Sequence, residues 1–307
     1  MNGSIRLRLV CSALMLAFLA STVPIASGNA ASHIDVKDTI KSDPYKVEPG
    51  GTLYIDLDRG NIEVKTSPRN VVTIELERSV DVEDRDDAKR LFEQHDYAFE
   101  QKDDDVFIRS RYDDSSGLFG RWRNQGKFKL RVIVRVPEAY NIDFTSGAGN
   151  IDIADLVGEV EGRTGAGNID IGSIDGDVDV TSGSGNIQVA GVTRSVSVES
   201  GAGNINLRDL QGEVEAKTGA GNVTAYISRQ PDGSSELESG AGNVTVFLGE
   251  SIAVDVEAES GMGAASTDFP LEVEGKWMSK SFEGEVNGGG PDLYLRSGVG
   301  NVALKRR

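Results

Sequence analysis

Between residues 146 and 248, apolar and polar residues alternate in short runs that recur at a fixed interval. In the first run Ile151 and Ile153 flank Asp152, and Val160 begins a second run a few residues later. Alternation with a period of two is typical of a strand that buries one face. We therefore expect two short strands in each repeat, separated by turns.

A five-residue motif, Ser/Thr-Gly-x-Gly-Asn, precedes these strand pairs. It begins at Ser146, Thr164, Ser182, Ser200, Thr218, Ser239, Ser260 and Ser297, with spacings of 18, 18, 18, 18, 21, 21 and 37. One such unit is too small to bury its apolar face alone, so the repeat indicates stacked units. The copy at Ser260 has Ala264 in place of the asparagine, and the last gap is long. The regularity of the coils after residue 260 therefore stays open.

The repeat predicts an all-β fold, a right-handed parallel β-helix or solenoid with about 18–21 residues per coil and a rise of roughly 4.8 Å per coil. Glycine permits the positive φ of a sharp corner. We expect the asparagines at that corner to stack as an amide ladder that satisfies backbone groups. This structural role is predicted for Gly147, Gly149, Asn150, Gly165, Gly167, Asn168, Gly183, Gly185, Asn186, Gly201, Gly203, Asn204, Gly221, Asn222, Asn243 and Asn301.

Residues 1–30 are predicted to be a signal peptide. Arg6 and Arg8 precede the apolar run from Leu9 to Leu19, and small residues at 28 and 30 suit cleavage after Ala30. Cleavage removes Cys11, the single cysteine, which leaves no disulfide or thiol chemistry. It also removes two positive charges and no negative ones, so the net charge becomes 30 − 49 = −19. No second long apolar stretch follows, so no transmembrane segment is expected after cleavage.

The rest of the chain is expected to form one solenoid. Residues 31–44 are predicted to be a flexible linker and residues 45–307 the solenoid, with irregular first coils over 45–140 and Gly-x-Gly-Asn repeats over 141–307. A short helix is predicted near residues 84–95, capped by Asp84 or Asp86. A hairpin should follow, with the acidic triplet from Asp103 to Asp105 as its solvated turn.

A basic segment precedes the repeats. Residues 115–137 hold six Lys or Arg and no Asp or Glu, and the strand Lys127–Val136 places its basic residues mostly opposite its apolar ones. Pairing of those basic residues with acidic neighbours such as Glu75 and Glu77 is one interpretation. The loop before the strand has a sharper interpretation as contact with a membrane or a partner; the alternative is a loop that covers the solenoid flank. The loop residues in question are Phe119, Arg121, Trp122 and Arg123.

Composition narrows the chemistry. The net charge of −17 argues against a nucleic-acid binder. With only His33 and His95, neither a Ser-His hydrolase nor a His/Cys zinc site is expected. Carboxylates remain, because Glu159, Glu161, Asp177 and Asp179 should stack as an outward patch, as should the pair Asp152 and Asp170. Such a patch suits a cation, calcium above all, or glycoside hydrolysis, or is a solvated acidic face.

The repeated Ser/Thr-Gly-Ala/Ser-Gly-Asn-Ile/Val units behind an export signal resemble the bacterial “putative adhesin” family, a β-strand-repeat domain of unknown function similar to head-GIN domains. The resemblance covers residues 45–307 and is most specific over 146–248. It implies a right-handed β-helix-like fold and a cell-envelope or secreted location. It brings no catalytic residues to this chain.

Together these features predict an exported, non-enzymatic solenoid that presents an interaction surface, as an adhesin-like protein or an envelope scaffold. Its partner would be a protein or glycan at the cell envelope, with no nucleic acid and no cofactor or metal. The location would be periplasmic, cell-surface or secreted. The alternatives are a carbohydrate-active β-helix enzyme and a calcium-stabilised surface protein. Ligand identity, compartment and oligomeric state stay open.

Overall fold

The computed structural model describes residues 33–112, 128–275 and 279–307. These residues form two long β-sheets whose apolar faces share one core. The predicted signal peptide and the basic-aromatic loop at Phe119 to Arg123 lie outside the described residues. No helix in the described part of the chain is long and apolar enough to cross a membrane.

The strands are mostly five to eight residues long, as alternation over short runs predicts. Their bounds are β1 Ile34–Lys41, β2 Tyr45–Lys46, β3 Thr52–Leu57, β4 Asn61–Ser67, β5 Val71–Val82, β6 His95–Lys102, β7 Asp105–Tyr112, β8 Phe128–Pro137, β9 Asn141–Ser146, β10 Ile151–Ile153, β11 Leu156–Val157, β12 Val160–Thr164, β13 Ile169–Asp175, β14 Val178–Ser182, β15 Ile187–Val192, β16 Val196–Ala202, β17 Ile205–Leu210, β18 Val214–Ala220, β19 Val223–Ile227, β20 Ser235–Ala241, β21 Val244–Leu248, β22 Val254–Met262, β23 Ala265–Thr267, β24 Val273–Glu274, β25 Lys280–Val286, β26 Asp292–Val299 and β27 Val302–Arg306. A helix, α1, spans Arg85–Glu93.

The two sheets alternate along the chain, so each repeat contributes one strand to each sheet. The first sheet runs β1-β5-β8-β4-β10-β13-β15-β17-β19-β21-β27-β23, with β2 beside β5 and β11 beside β13. The second sheet runs β24-β25-β22-β26-β20-β18-β16-β14-β12-β9-β3-β7-β6. Successive coils pair in parallel and in register, which is the predicted solenoid.

The core is a set of rows in which each inward side chain lies on its counterpart in the next coil. Ile151 pairs with Ile62 on one side and with Ile169 on the other, and all three are almost fully buried. Along the second sheet, Val160 pairs with Ile142 and Val178 in the same way. β-Branched residues pack well on the pleated inner faces of the two sheets. They fill the narrow core between these sheets, which therefore needs few aromatic residues.

The amino-terminal end of the stack is closed by antiparallel strands and the helix. Strand β5 pairs antiparallel with β1 and with β8, and β6 pairs antiparallel with β7. Asp84 caps α1 as predicted, accepting a hydrogen bond from the Asp87 backbone N–H, 2.8 Å. Strand β8 buries alternate residues from Phe128 and exposes Arg131, also as predicted.

The flexible linker predicted over residues 31–44 is wrong, because Ile34–Lys41 forms β1 on β5. Ile34, Val36 and Ile40 are half-buried on one side of this strand. Asp38 interrupts that apolar series, and its carboxylate pairs with Arg78 instead of packing in the core. The polar residue on the inward side hid the period of two in the sequence.

At the carboxyl end the coils are not stacked in sequence order. Strand β26 lies between β20 and β22, and β27 lies between β21 and β23. The last motif copy, at Ser297, therefore stacks on the copy at Ser239, and the copy at Ser260 stacks on Ser297. This order explains the long final gap in the sequence, since the intervening residues form the hairpin β24–β25 at the end of the second sheet.

Candidate functional site

The motif asparagines form a continuous hydrogen-bonded ladder along one corner of the solenoid. In each step the backbone N–H of one asparagine donates to the side-chain Oδ1 of the asparagine one coil below. The ladder begins at Asn61 and runs Asn150 to Asn61 2.9 Å, Asn168 to Asn150 3.0 Å, Asn186 to Asn168 2.9 Å, Asn204 to Asn186 2.8 Å, Asn222 to Asn204 2.9 Å, Asn243 to Asn222 2.9 Å and Asn301 to Asn243 2.8 Å. The Oδ1 atom of each exposed amide thus accepts a hydrogen bond from the backbone of its neighbour.

The ladder ends at the motif copy that lacks an asparagine. The backbone N–H of Ala264 donates to Asn301 Oδ1, 2.9 Å. In the described structure no coil stacks on Ala264, so a side-chain acceptor at that position would have no backbone N–H from which to accept a hydrogen bond. The missing asparagine therefore marks the end of the first sheet.

The first and fourth residues of the motif are also used by the fold. The Ser200 hydroxyl donates to the Gly185 carbonyl, 2.9 Å, and Thr218 and Ser239 make the same contact to Gly203 and Gly221. Gly185 has φ +150°, and a Cβ there would overlap the Gly167 carbonyl of the coil below. The predicted corner glycines thus lie where neighbouring backbones approach each other too closely for any side chain.

The four carboxylates predicted as a cation patch do not all have the same surroundings. Glu161 and Asp179 are in register on β12 and β14. Asp177 instead accepts hydrogen bonds from the Ser195 backbone N–H, 3.0 Å, and hydroxyl, 2.7 Å. Although burial works in the opposite direction, these hydrogen bonds lower the pKa of Asp177. Among the described residues, no group of three or more His, Cys, Asp or Glu converges as metal ligands do.

The outer face of the second sheet carries two neighbouring rows of different charge. The acidic row consists of Asp143, Glu161 and Asp179, which lie in register on β9, β12 and β14. The mixed row, two residues further along each strand, runs Arg163, Thr181, Glu199, Lys217, Glu238, Arg296 and Glu259. Like charges stacked one coil apart repel each other, so the acidic row is electrostatically unfavourable to the fold alone.

Farther along the same face, the acidic positions are neutralised by the mixed row. Lys217 pairs with Glu215 and Glu236, both at 2.8 Å. Hydrogen bonds to Glu215 and then Glu236 raise the pKa of Lys217. Arg296 likewise lies between Glu236, 3.9 Å, and Glu257, 3.5 Å. Within the described strands, the acidic row has only Arg163, flanked by Thr145 and Thr181, at the corresponding positions.

The first sheet carries a comparable acidic stack with closer cationic neighbours. Asp152 lies between Glu63 and Asp170. Burial raises the pKa of Asp152, and the charges of Asp170 and Glu63 add to the effect. Glu63 pairs with Lys65, 2.6 Å, and with Arg131. Of the predicted partners of the basic strand, Glu77 faces Arg131 at 3.6 Å, whereas Glu75 pairs with Lys41.

A buried polar cluster, which the sequence did not reveal, lies beneath α1. His95 Nε2 is 2.7 Å from the Ser110 hydroxyl, and its Nδ1 is 3.4 Å from Arg78. Arg78 also donates to Asp38, 3.1 Å from Nε, and to the Phe92 carbonyl. Burial, assisted by the Arg78 charge, lowers the pKa of His95 to about 4. Ser110 and His95 are 2% and 5% exposed, so a substrate has no access to this serine-histidine pair.

Aromatic residues on the outer faces stack on one another. Tyr54 and Phe107 have ring centroids 4.8 Å apart at an interplanar angle of 7°, and Tyr226 and Phe247 are 4.5 Å apart at 3°. The inner ring faces of each pair are therefore covered. A groove of about 430 Å³ lies beside β11 and the ends of β13 and β15, but its Asp155 and Asp175 accept hydrogen bonds from Ser173 and Thr193.

Comparison with known proteins places this chain in a family. The family model described as Toastrack DUF4097 matches residues 27–304. The chain belongs to this family. The Toastrack DUF4097 match confirms the resemblance seen in the motif, and the family is likewise one of unknown function. No curated protein matches the chain.

Several solved structures are similar to this Toastrack DUF4097 member at low identity. A “putative adhesin” from Bacteroides fragilis is 17% identical, with 88% of this chain and 97% of that chain covered and a TM-score of 0.45. A “putative cell adhesion protein” from Clostridium sporogenes is 14% identical, with 89% and 100% covered and a TM-score of 0.28. A “putative lipid binding protein” from Parabacteroides distasonis is 14% identical, with 88% and 96% covered and a TM-score of 0.34.

Proposed function

We propose that this Toastrack DUF4097 member is an exported, non-enzymatic solenoid that binds a partner at the cell envelope through the outer face of its second sheet. The acidic row carries the proposal. In the described part of this face, Asp143, Glu161 and Asp179 are stacked carboxylates with a single cation, Arg163, at the flanking positions, in contrast to the ion pairs around Lys217 and Arg296. A partner that neutralises these charges would remove the repulsion, so its binding would also stabilise the fold.

The partner favoured by this surface is a protein with a basic strip, rather than a neutral glycan. The carboxylates of the acidic row recur at the coil spacing of roughly 4.8 Å, whereas alternate residues of an extended segment lie about 6.6–6.8 Å apart. The long, flexible side chains of Lys or Arg span this difference, so an extended basic segment laid across the coils can pair with the row. The stacked pairs Tyr54–Phe107 and Tyr226–Phe247 cover each other's ring faces, so they offer little flat apolar surface to a sugar. The Oδ1 atoms of the motif asparagines already accept hydrogen bonds within the ladder.

The test is retention of an envelope protein by the immobilised chain in low salt. We expect Glu161→Gln/Asp179→Asn to lose that partner, because the variant removes two of the three charges of the acidic row. The matched control is Asp152→Asn/Asp170→Asn, which removes an equally stacked pair from the opposite sheet and should retain the partner. Equal retention by both variants would argue against the acidic row.

The same preparation separates the binding proposal from the enzymatic alternative. A screen for polysaccharide hydrolysis should give no turnover. Turnover abolished by Asp152→Ala or Asp177→Ala would instead support a carbohydrate-active enzyme. Thermal unfolding with calcium or a chelator addresses the calcium-stabilised alternative, and we expect the midpoint to be unchanged by either.

Export itself is tested on the natural host. We expect the amino terminus of the protein recovered from envelope or culture fractions to be Ala31, as cleavage after Ala30 predicts. A protein that retains Met1 in the cytoplasm would overturn the proposed location while leaving the binding test intact.

A further inference from the structure

The strand pair β26–β27 occupies an interior position in the stack. These strands separate the coil that ends at Leu248 from the coil that begins at Val254. We call the space they fill the insertion slot, bounded by β20 and β21 on one side and by β22 and β23 on the other. Both walls precede the insert in the sequence, so the insert enters between two coils that are already connected to each other.

The two walls of the insertion slot carry complementary polar groups. Within the slot, the backbone N–H of Asn301 donates to Asn243 Oδ1, 2.8 Å, and Asn301 Oδ1 accepts from the Ala264 N–H, 2.9 Å. Ser297 donates to the Gly242 carbonyl and Ser260 to the Gly300 carbonyl, both at 2.7 Å. If the strand pair leaves, Ala264 can donate to Asn243 and Ser260 to Gly242. The walls can therefore make with each other the contacts that each makes with the insert.

The sequence spacing allows the walls to meet. Thr218 and Ser239 stack directly. The spacing from Ser239 to Ser260 equals the spacing from Thr218 to Ser239, yet the insert separates the later pair by two steps. The chain between the walls is thus as long as in a coil that is already stacked without an insert. Closure of the slot would continue the regular repeat.

Charge on the outer face favours the inserted arrangement. Arg296 lies between Glu238 and Glu259 in the mixed row and also contacts Glu257, 3.5 Å. Closure would bring Glu238 against Glu259 and Glu236 against Glu257, two pairs of like charge. Both the attraction of Arg296 and this repulsion weaken as salt rises. Burial of the insert's apolar residues also favours the inserted arrangement, whereas the conformational entropy of the ordered segment opposes it.

A hinge for this movement is present before β26. Asn287, Gly288 and Gly289 all have positive φ, and a Cβ at Gly288 would meet nothing within 4 Å. We propose that the protein has two packings, one with β26–β27 inserted and one with the slot closed and residues 292–307 released. The released segment carries Arg296, Lys305, Arg306 and Arg307 against the single acidic residue Asp292, so it becomes a basic strand-forming segment on an acidic protein.

The test uses the full chain with Cys11→Ser and the pair Thr245→Cys/Ser266→Cys. Both residues are in register with Ala303, one step away on either side. Two steps are roughly 9.6 Å, whereas a disulfide needs Cα atoms within about 7 Å. A disulfide between these cysteines therefore reports closure. Thr245→Cys/Ala303→Cys, with adjacent residues, reports insertion and should oxidise at once.

The matched control is Asp170→Cys/Asn206→Cys. These residues are also two steps apart, with Gln188 between them, in coils that follow sequence order. We expect the slot pair to oxidise at least about tenfold faster than this control, and faster still in high salt. Arg296→Glu should accelerate the reaction further and Arg296→Lys should not. Equal rates for the slot pair and the control, with circular dichroism unchanged, would overturn the proposal.

Hydrogen exchange on the chain without cysteine substitutions gives a second measurement. A reversible insert predicts that amides of β26 and β27 exchange faster than those of β20 and β22, although they lie between them. Exchange of all four strands at one common rate would contradict release. This outcome does not depend on whether any variant folds.

Discussion

The regular coils and the amino-terminal end of this protein satisfy their polar groups in different ways. In the coils from Ser146 to Leu248, the motif residues repeat one contact from coil to coil, as in the hydrogen bond from the Asn186 backbone N–H to Asn168 Oδ1. At the amino-terminal end each contact joins unlike residues, such as Arg78 with Asp38 and His95 with Ser110. The coils are held by many equivalent contacts, and the end is held by a few unique ones.

The difference has an energetic consequence. One hydrogen bond is worth about 1 kcal/mol, so loss of one ladder contact removes a small share of the coil energy. Removal of one member of the buried cluster leaves several groups unpaired at once, which costs more. Backbone contacts between coils are the exception to the low cost of changes in the coils, because the corner glycines leave no room for a side chain. The following changes test this ranking, from the largest effect to the smallest.

Substitution of a corner glycine should have the largest effect. Gly185→Ala places a Cβ against the Gly167 carbonyl at φ +150°. We expect a loss of about 3–5 kcal/mol in the free energy of unfolding, or failure to fold, measured by urea denaturation. Ser184→Ala, at the exposed neighbouring position, is the control and should change stability by less than about 0.5 kcal/mol.

Arg78→Met should be the next most damaging change. It leaves Asp38, His95 Nδ1 and the Phe92 carbonyl without their shared donor. We expect a loss of about 2–3 kcal/mol, smaller than for a fully buried ion pair because Asp38 is partly exposed. Arg163→Met, on the exposed mixed row, should cost almost nothing in the same urea titration. Similar losses for both variants would remove the distinction between the two regions.

Acid should weaken the amino-terminal end through His95. The folded protein holds the pKa of His95 at about 4, below the ordinary value of 6.5, so the fold keeps the ring neutral. Its contribution is therefore fully present above about pH 6.5 and is lost as the pH falls toward 4. We expect up to about 2 kcal/mol from this group. Thermal unfolding of wild type and His95→Gln between pH 7.5 and 4.5 should show a shallower decline for the variant.

A single ladder contact should matter less. Asn186→Ala removes the acceptor of the Asn204 backbone N–H, 2.8 Å, and we expect a loss of about 1 kcal/mol by urea denaturation. The converse change, Ala264→Asn, adds an amide where no described coil follows and should give no gain. A clear increase in stability from Ala264→Asn would mean that another donor reaches the end of the ladder.

The smallest effect should be a gain. The fold raises the pKa of Asp152, so its ionisation opposes folding at neutral pH. Because solvent screens this exposed carboxyl, Asp152→Asn should stabilise the protein at pH 7 by only a few tenths of a kcal/mol. The gain should disappear as the pH falls and the carboxyl becomes neutral. A pH series of thermal midpoints for both proteins measures this, and a gain that persists in acid would contradict the charge explanation.

The coils were predictable because each of their contacts recurs at a fixed spacing. The period of two at Ile151 and Ile153 predicts the strands. The recurrence of Asn150 as Asn168 predicts the corner and the ladder. The end of the ladder at Ala264 was visible as a missing asparagine, although its meaning depended on the stacking order. In the candidate acidic patch, the repeat predicted the register between Glu161 and Asp179. It did not predict the hydrogen bond that Asp177 accepts from the Ser195 backbone N–H.

The unique contacts could not be read in the same way. Asp38 and Arg78 lie far apart in the sequence, and neither belongs to a motif. Without the pairing of β1 with β5, Asp38 reads as a break in an apolar series rather than as a buried partner. The insertion of β26 was equally hidden in the sequence. Two later copies of the motif, at Ser260 and Ser297, have nearly the same pattern, and either could stack on the copy at Ser239. Local periodicity does not determine such a choice; long-range complementarity of charge and hydrogen bonding does.

The interior position of β26 and β27 also sets the order in which the stack can be completed. A nascent chain emerges amino end first, and coils up to Leu248 can stack as they appear. The next layer of the stack is encoded by Asp292–Arg306, after the layer that covers it. Synthesis therefore supplies the outer coil before the inner one, and a chain interrupted between Met262 and Asp292 lacks an inner layer rather than an outer one.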